Sequence, residues 1–345
     1  MKIVMTLLVR DEADIVDAQI AFHLNAGVDL VVATDNRSED ASTQILERYQ
    51  REGHLHLIRE PGDDLRQTEW VTRMARLAAT ELDADWVFNA DADEFWWPQS
   101  GNFRELFAAV PDHFGVIRGA WRNFVPRPDD DRFFAERMTF RYCTPDFHAH
   151  PLSTHFKSAH RAVSDVRVGR GNHEAFAPGL VPLRGWHAIE VLHFPVRSFE
   201  QCRRKYVTQF VALERNAEKG IPAHMADAHR AYRAGQLEEF YRPLVVGDDS
   251  LEAGLRSGEL QVDIRLRDVL RSLGFGESTA TGSGCLVGDR TAQAAAFAAE
   301  CAVLPESDYG LRLSARIDNM ESRVGALERR LDARVGRRVR SLLSR

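Results

Sequence analysis

Three carboxylates fall within four positions in the stretch Trp86-Val87-Phe88-Asn89-Ala90-Asp91-Ala92-Asp93-Glu94-Phe95. The residues ahead of them, Trp86 to Ala90, read as a buried strand. In open α/β sheets ligands collect at the carboxyl ends of strands, so these acids are expected to face a crevice. Crowded like charges repel and are costly without a cation. A hard divalent ion, Mn²⁺ or Mg²⁺, would relieve them, because it takes oxygen from one or two carboxylates and completes its shell with phosphate oxygens. Asp91 and Asp93, two apart in extended backbone, are expected on one face as metal ligands, with Glu94 on the other. Without an ion the same residues form a solvated acidic turn.

Two further groups sit at apolar strand ends. In Val31-Val32-Ala33-Thr34-Asp35-Asn36-Arg37-Ser38-Glu39-Asp40, Asp35 and Asn36 can hydrogen-bond a base or ribose edge. Ser38 or Asp40 would cap the helix that follows. In Arg10-Asp11-Glu12, Arg10 would pair with a phosphate or with a neighbouring acid.

The elements that must hold these residues alternate. Ile3 to Val9 is a continuous apolar run, as in a strand covered on both faces. Asp14 to Asn25 reads as a helix with Ile15, Gln19, Phe22 and Ala26 on one face and Gly27 as its stop. Leu30 to Thr34, His54 to Ile58 and Trp86 to Ala90 read as strands, and Ser42 to Arg51 and Thr68 to Leu82 as helices. This alternation predicts right-handed βαβ units and a mostly parallel sheet with helices on both faces. Beyond it come a helix at Phe103 to Val110, strands at Gly115 to Arg118 and Gly185 to His193, and a helix at Phe199 to Lys219. The Gly-, Ala- and Ser-rich stretch 247–303 has weak periodicity and predicts no clear element.

The ends of strands one, two and four together resemble the nucleotide-sugar-binding start of a GT-A domain of the glycosyltransferase family 2 superfamily. The resemblance is to its branch with R-D-E, D-N-x-S-x-D and D-x-D-E-F motifs, here Arg10-Asp11-Glu12, Asp35 to Asp40 and Asp91 to Phe95. His23-Leu24-Asn25-Ala26-Gly27-Val28 and Gln67 also match. Lys157-Ser158, His173, and Leu192-His193-Phe194 followed by Ser198 and Lys205 match more loosely. The likeness implies a GT-A Rossmann-like fold with a helical C-terminal extension. It implies a transferase domain over 1–215, with a nucleotide-sugar half at 1–100 and an acceptor half at 101–215. Asp35 and Asn36 would hold the uracil or ribose of a UDP-linked donor. Arg10, Glu12, Gln67 and Asp91 would complete the donor site, and Asp91 and Asp93 would hold the metal. Where most of the superfamily has a second Asp, Asn36 stands.

The implied reaction is inverting transfer to a hydroxyl of a cell-surface glycan or lipid-linked acceptor. It needs a base for that hydroxyl. Asp146, His173 and Glu174 are the candidates, with the adjacent pair His173 and Glu174 preferred. His193 would serve as a third metal ligand, as a diphosphate contact or as a packed histidine. Trp96, Trp97, Trp121 and Trp186 would stack on sugars or pack in the core.

The chain has 345 residues, 44% apolar and 28% charged, with net charge −6, which excludes global disorder and a chain-wide grip on nucleic acid. Cys143, Cys202, Cys285 and Cys301 form no C-x-x-C pair, so neither a zinc site nor a disulfide framework is expected. No run of about 18 apolar residues suggests a membrane span. The apolar start meets Arg10, Asp11 and Glu12 at once, which reads as a strand and not a signal peptide. After an irregular or helical extension at 216–303, Ile317, Met320, Val324, Leu327 and Leu331 form a short heptad seam. The segment 311–345 carries ten Arg against four acids, a net +6, leaving −12 for the rest. This basic amphipathic or coiled-coil tail would form a homodimer or touch an anionic membrane surface. A cytoplasmic protein, peripheral on the inner face of the membrane, is the expectation. Two rival readings are a nucleotidyltransferase on a similar sheet and an oligomerising scaffold. The absence of glycine in Val9-Arg10-Asp11-Glu12 counts against the first, and the intact Asp91 and Asp93 count against the second.

Overall fold

Strand β1 (Ile3–Val9) is apolar on both sides because it lies at the heart of the sheet. The chain continues through α1 (Val16–Asn25), β2 (Leu30–Asp35), α2 (Ser42–Arg51), β3 (Leu55–Arg59), α3 (Gln67–Thr80) and β4 (Trp86–Asp91). Then come β5 (Glu94–Pro98), α4 (Phe103–Ala108), β6 (Val116–Asn123), α5 (Phe134–Arg137), β7 (Phe140–Tyr142) and β8 (Phe156–Arg161). The remainder is β9 (Arg167–Val168), β10 (Ala175–Phe176), β11 (Ile189–His193), α6 (Phe199–Glu214), α7 (Ala223–Arg233), α8 (Leu237–Tyr241), α9 (Asp248–Ser257), β12 (Leu260–Val262) and α10 (Arg265–Ser272). The computed structural model describes residues 1–62, 65–143, 156–183, 188–214 and 223–276. Asp146, Trp186, His187 and the tail at 311–345 lie outside the described residues.

Eight strands form one mixed sheet in the order β3-β2-β1-β4-β8-β6-β11-β5. The pairs β1–β2, β1–β4, β2–β3 and β6–β11 are parallel. The order reverses between β1 and β4, which is where an open α/β sheet leaves a crevice at its carboxyl edge. Register brings the motifs level: Leu8 lies opposite both Thr34 and Asp91, so Arg10, Asn36 and the acid cluster leave the sheet together.

Helices cover both faces. Ile3, Met5, Leu7 and Val9 alternate onto the side that holds Val16 and Ile20 of α1, Leu46 of α2 and Phe103 and Phe107 of α4. Val4, Val32 and Val87 face the other way, onto Val71, Met74, Ala75 and Ala78 of α3. The period of two in the strands thus sorts each residue to a layer.

A separate apolar cluster joins Ile15, Phe22, Phe95, Phe134 and Phe194 to Leu266, Val269 and Leu270 of α10. Strand β12 pairs antiparallel with β7. The part of the 247–303 stretch that is described, up to residue 276, therefore holds α9, β12 and α10, packed onto the sheet domain. Their short lengths hid them from periodicity. Observed strand and helix ends differ from the expected ones. Strand β6 runs to Asn123 and not to Arg118, α1 begins at Val16 and not at Asp14, and β11 is described over Ile189–His193, with 184–187 outside the described residues.

Candidate active site

A cavity of about 180 Å³ opens at the carboxyl edge of the sheet. Eight of the sequence-selected residues line it: Arg10, Glu12, Asn36, Gln67, Asp91, Asp93, Trp121 of β6 and His193 of β11. Lys205 of α6 joins them in its wall. Asp35 is absent from the lining. Its Oδ1 accepts from the Ser38 amide at 3.0 Å and the Ser38 hydroxyl at 2.7 Å, and its Oδ2 accepts from the Thr43 hydroxyl at 2.5 Å. Asp35 thereby braces the loop that carries Asn36. Asn36 is fully buried, accepts from Arg10 Nη1 at 3.2 Å and donates to the Gly62 carbonyl at 3.0 Å. Asn36 is thus one partner of the Arg10 guanidinium. Asp40 accepts from the Ser42 amide at the first residue of α2, while the cap position itself is Ala41.

The backbone turns at Ala92-Asp93 between β4 and β5, and this corrects the expected arrangement of the three acids. A continuous strand would put Glu94 on the face opposite Asp91. Instead Glu94 folds back beneath Asp91, accepting from the Asp91 amide at 3.1 Å and the Trp121 indole at 3.0 Å. Lys157 of β8 lies between the two, 2.6 Å from Asp91 Oδ2 and 2.8 Å from Glu94 Oε1. Gln67 and Asn172 donate to the other Asp91 oxygen at 3.2 and 3.0 Å. Asp93 has a different partner, Lys205 Nζ at 2.6 Å. Three carboxyl groups thus meet two ammonium groups, and burial, with Asp91 and Asp93 beside it, pushes the Glu94 carboxyl up to about 8 despite Lys157. Despite the cost of burial, Asp91 and Glu94 hold the Lys157 ammonium above its ordinary pKa, and Asp93 does so for Lys205.

The expected metal pair was Asp91 with Asp93. Among the described residues, the group that places three ligand atoms within 4.8 Å of one another is Asp93, Glu94 and His193. Glu94 is fully buried, and its oxygens already accept from a lysine, an indole and an amide. His193 is differently disposed. With Asn123 Oδ1 as acceptor at 2.7 Å, Nδ1 carries the ring proton, so Nε2 presents a lone pair toward Asp93 Oδ2 at 3.7 Å. Burial holds this ring below the usual histidine pKa. Two acceptors facing each other across 3.7 Å, one ring held by an outer partner, suit a divalent cation. The carboxylate suits Mn²⁺ or Mg²⁺, and the imidazole nitrogen favours the softer Mn²⁺ of the two.

Glu12 lines the cavity and is tied from behind. Its carboxylate pairs with Arg197, which also binds both oxygens of Asp14, at 2.7 and 3.0 Å. Arg197 is 2% exposed and ties the end of β1 to the segment after β11. The two preferred base candidates part company. His173 Nδ1 meets the Phe156 carbonyl at 2.8 Å, and its ring stands edge-on to Trp121 of the cavity wall at 5.7 Å. Glu174 instead borders a second cavity of about 360 Å³ with Arg118, Arg167 and Phe176, its carboxylate 3.9 Å from Arg118. Sequence reasoning gave no role to Lys157, Lys205 or Asn123. Lys157 and Lys205 are two of the chain's four lysines among 45 basic residues, a signal that was open to reading.

No family model and no curated protein matches the chain. Solved structures do. One is S. aureus TarS in complex with UDP, at 14% identity and TM-score 0.34, covering 60% of this chain and 65% of that one. TarS in complex with UDP-GlcNAc is similar at 13% identity and TM-score 0.34, covering 60% and 66%. Glucosyl-3-phosphoglycerate synthase from Mycobacterium tuberculosis, with Mn²⁺, UDP and phosphoglyceric acid, is similar at 16% identity and TM-score 0.26, covering 35% and 43%. The matched part is less than two thirds of each of these chains.

Proposed function

We propose that the chain is a metal-dependent inverting glycosyltransferase. Its donor is a nucleotide-diphosphate sugar with UDP as the nucleotide, and its acceptor is a hydroxyl on a cell-surface glycan or glycolipid. The observation that carries this reading is the facing pair Asp93 and His193, open to the cavity that Asn36, Arg10 and Gln67 share. Asn36 and the loop braced by Asp35 would receive the base and ribose. Asp93 and His193 would hold Mn²⁺ or Mg²⁺, with Asp91 as the further carboxylate. When bound, the ion would neutralise charge growing on the departing diphosphate.

Transfer needs one displacement. The acceptor oxygen bonds to the anomeric carbon, the bond from that carbon to the diphosphate breaks, and the hydroxyl proton passes to a base. His173 is our choice for that base, because its ring is anchored to the Phe156 carbonyl through Nδ1 and stands edge-on to Trp121 of the cavity wall. Glu174, on the second cavity, is assigned to the acceptor side.

The test is Mn²⁺-dependent hydrolysis of a panel of nucleotide sugars. Release of UDP from at least one donor by the wild type, lost in Asp93→Ala, is expected. Failure with every donor, or full turnover by Asp93→Ala, overturns the reading.

A further inference from the structure

Of 45 basic residues only four are lysines, yet two of those four neutralise the strand-end acids. The two are not equivalent. Lys157 is 1% exposed and bridges two carboxylates, which fixes it beneath the acid cluster. Lys205 holds Asp93 and leans toward the Pro195 carbonyl at 3.4 Å, its side chain is 21% exposed, and it lines the cavity. Its partner oxygen, Asp93 Oδ2, is the same atom that faces His193 Nε2. An arginine there would present a rigid planar fork. A lysine presents a compact charge on a flexible four-carbon stem.

We propose that Lys205 is a displaceable counter-ion. It occupies Asp93 while the site is empty, gives way when a divalent cation takes Asp93 and His193, and moves its ammonium to the donor diphosphate in the same cavity. The inference rests on the metal-dependent reading above and goes beyond it, since it makes metal and nucleotide binding cooperative through one side chain. The physical reason is that a doubly charged ion on Asp93 Oδ2 repels the ammonium 2.6 Å from the same oxygen and competes with it for that charge. The cavity offers it the new anion. Removing this competitor therefore helps the metal alone and weakens its coupling to the nucleotide.

The experiment measures Mn²⁺ binding by the electron paramagnetic resonance of free Mn²⁺, with and without UDP, for wild type, Lys205→Met and Lys205→Arg. Thermal melts confirm that each variant is folded. Without UDP, Lys205→Met binds Mn²⁺ at least about tenfold more tightly than wild type, and Lys205→Arg, which keeps the charge, stays within about threefold of it. The factor by which UDP tightens Mn²⁺ binding falls at least about tenfold in Lys205→Met. Equal or weaker Mn²⁺ binding by Lys205→Met overturns the proposal, as does an undiminished coupling factor. If no protein binds Mn²⁺ while all bind UDP, the inference and the metal assignment fall together and the nucleotide reading stands. If none binds either probe, the proposed function itself has failed.

Discussion

Lys157 Nζ lies 2.6 Å from Asp91 Oδ2, although 66 positions separate the two residues in the chain. Strand β8 runs antiparallel beside β4 and delivers the ammonium under the acid cluster, where Glu94 takes its other side. Removing one partner of a buried pair leaves the other charge uncompensated. Lys157→Met should therefore lower unfolding stability by about 3–5 kcal/mol in chemical denaturation. Adding Glu94→Gln to it should recover part of the loss. A neutral single variant would mean that the cluster is solvated and not enclosed.

Arg197 makes the parallel case on the other side of the cavity. Its guanidinium serves Glu12, Asp14 and the Phe194 carbonyl from a buried position. Arg197→Met should cost a similar amount, about 3–5 kcal/mol, and the triple variant with Glu12→Gln and Asp14→Asn should cost less than the single one. Denaturant midpoints at fixed slope would show it. Additive losses would refute the shared network.

The two base candidates separate by kinetics. His173→Gln should reduce kcat by about 10²–10⁴-fold with little change in donor KM. Glu174→Gln should leave kcat within about threefold and act, if at all, on acceptor KM. Loss of kcat in the second variant alone would move the base to the other cavity.

His23 shows a pH signature. Its Nδ1 donates to the Gln19 carbonyl at 2.7 Å and its Nε2 accepts from the Trp96 amide at 3.0 Å, with the ring fully buried. Burial pushes its pKa down to about 3 from the ordinary 6.5. Below pH 6.5 the unfolded chain takes up a proton that the folded chain refuses, so wild-type stability falls with this group by about 1.4 kcal/mol per pH unit. His23→Gln lacks that loss. It should be less stable than wild type at pH 7, and the gap should narrow at that rate between pH 6 and pH 4. A gap independent of pH would mean that the ring is protonated inside the fold.

Much of this architecture is legible in the chain. The buried run Ile3 to Val9, the helix face Ile15, Gln19, Phe22 and Ala26, and the acids after Trp86 to Ala90 are local patterns, and local patterns dictate the first hundred residues. The partners of those acids are not local. Lys157 and Lys205 reach Asp91 and Asp93 across 66 and 112 positions, and no spacing rule announces such pairs. An extended strand puts Glu94 on the face opposite Asp91, whereas the chain turns at Ala92-Asp93 and brings it beneath. Leu266, Val269 and Leu270 do recur at helical spacing, but over eight residues that is too short a run to separate from a loop.

The most direct measurement is calorimetric titration of UDP into the full chain with Mn²⁺ present, repeated with Asp93→Ala. A single site with a dissociation constant below about 1 mM in the wild type, weakened at least about tenfold in the variant, is the expected result. No heat of binding in the wild type, or equal affinity in the two proteins, would contradict a nucleotide diphosphate held at the strand-end acids.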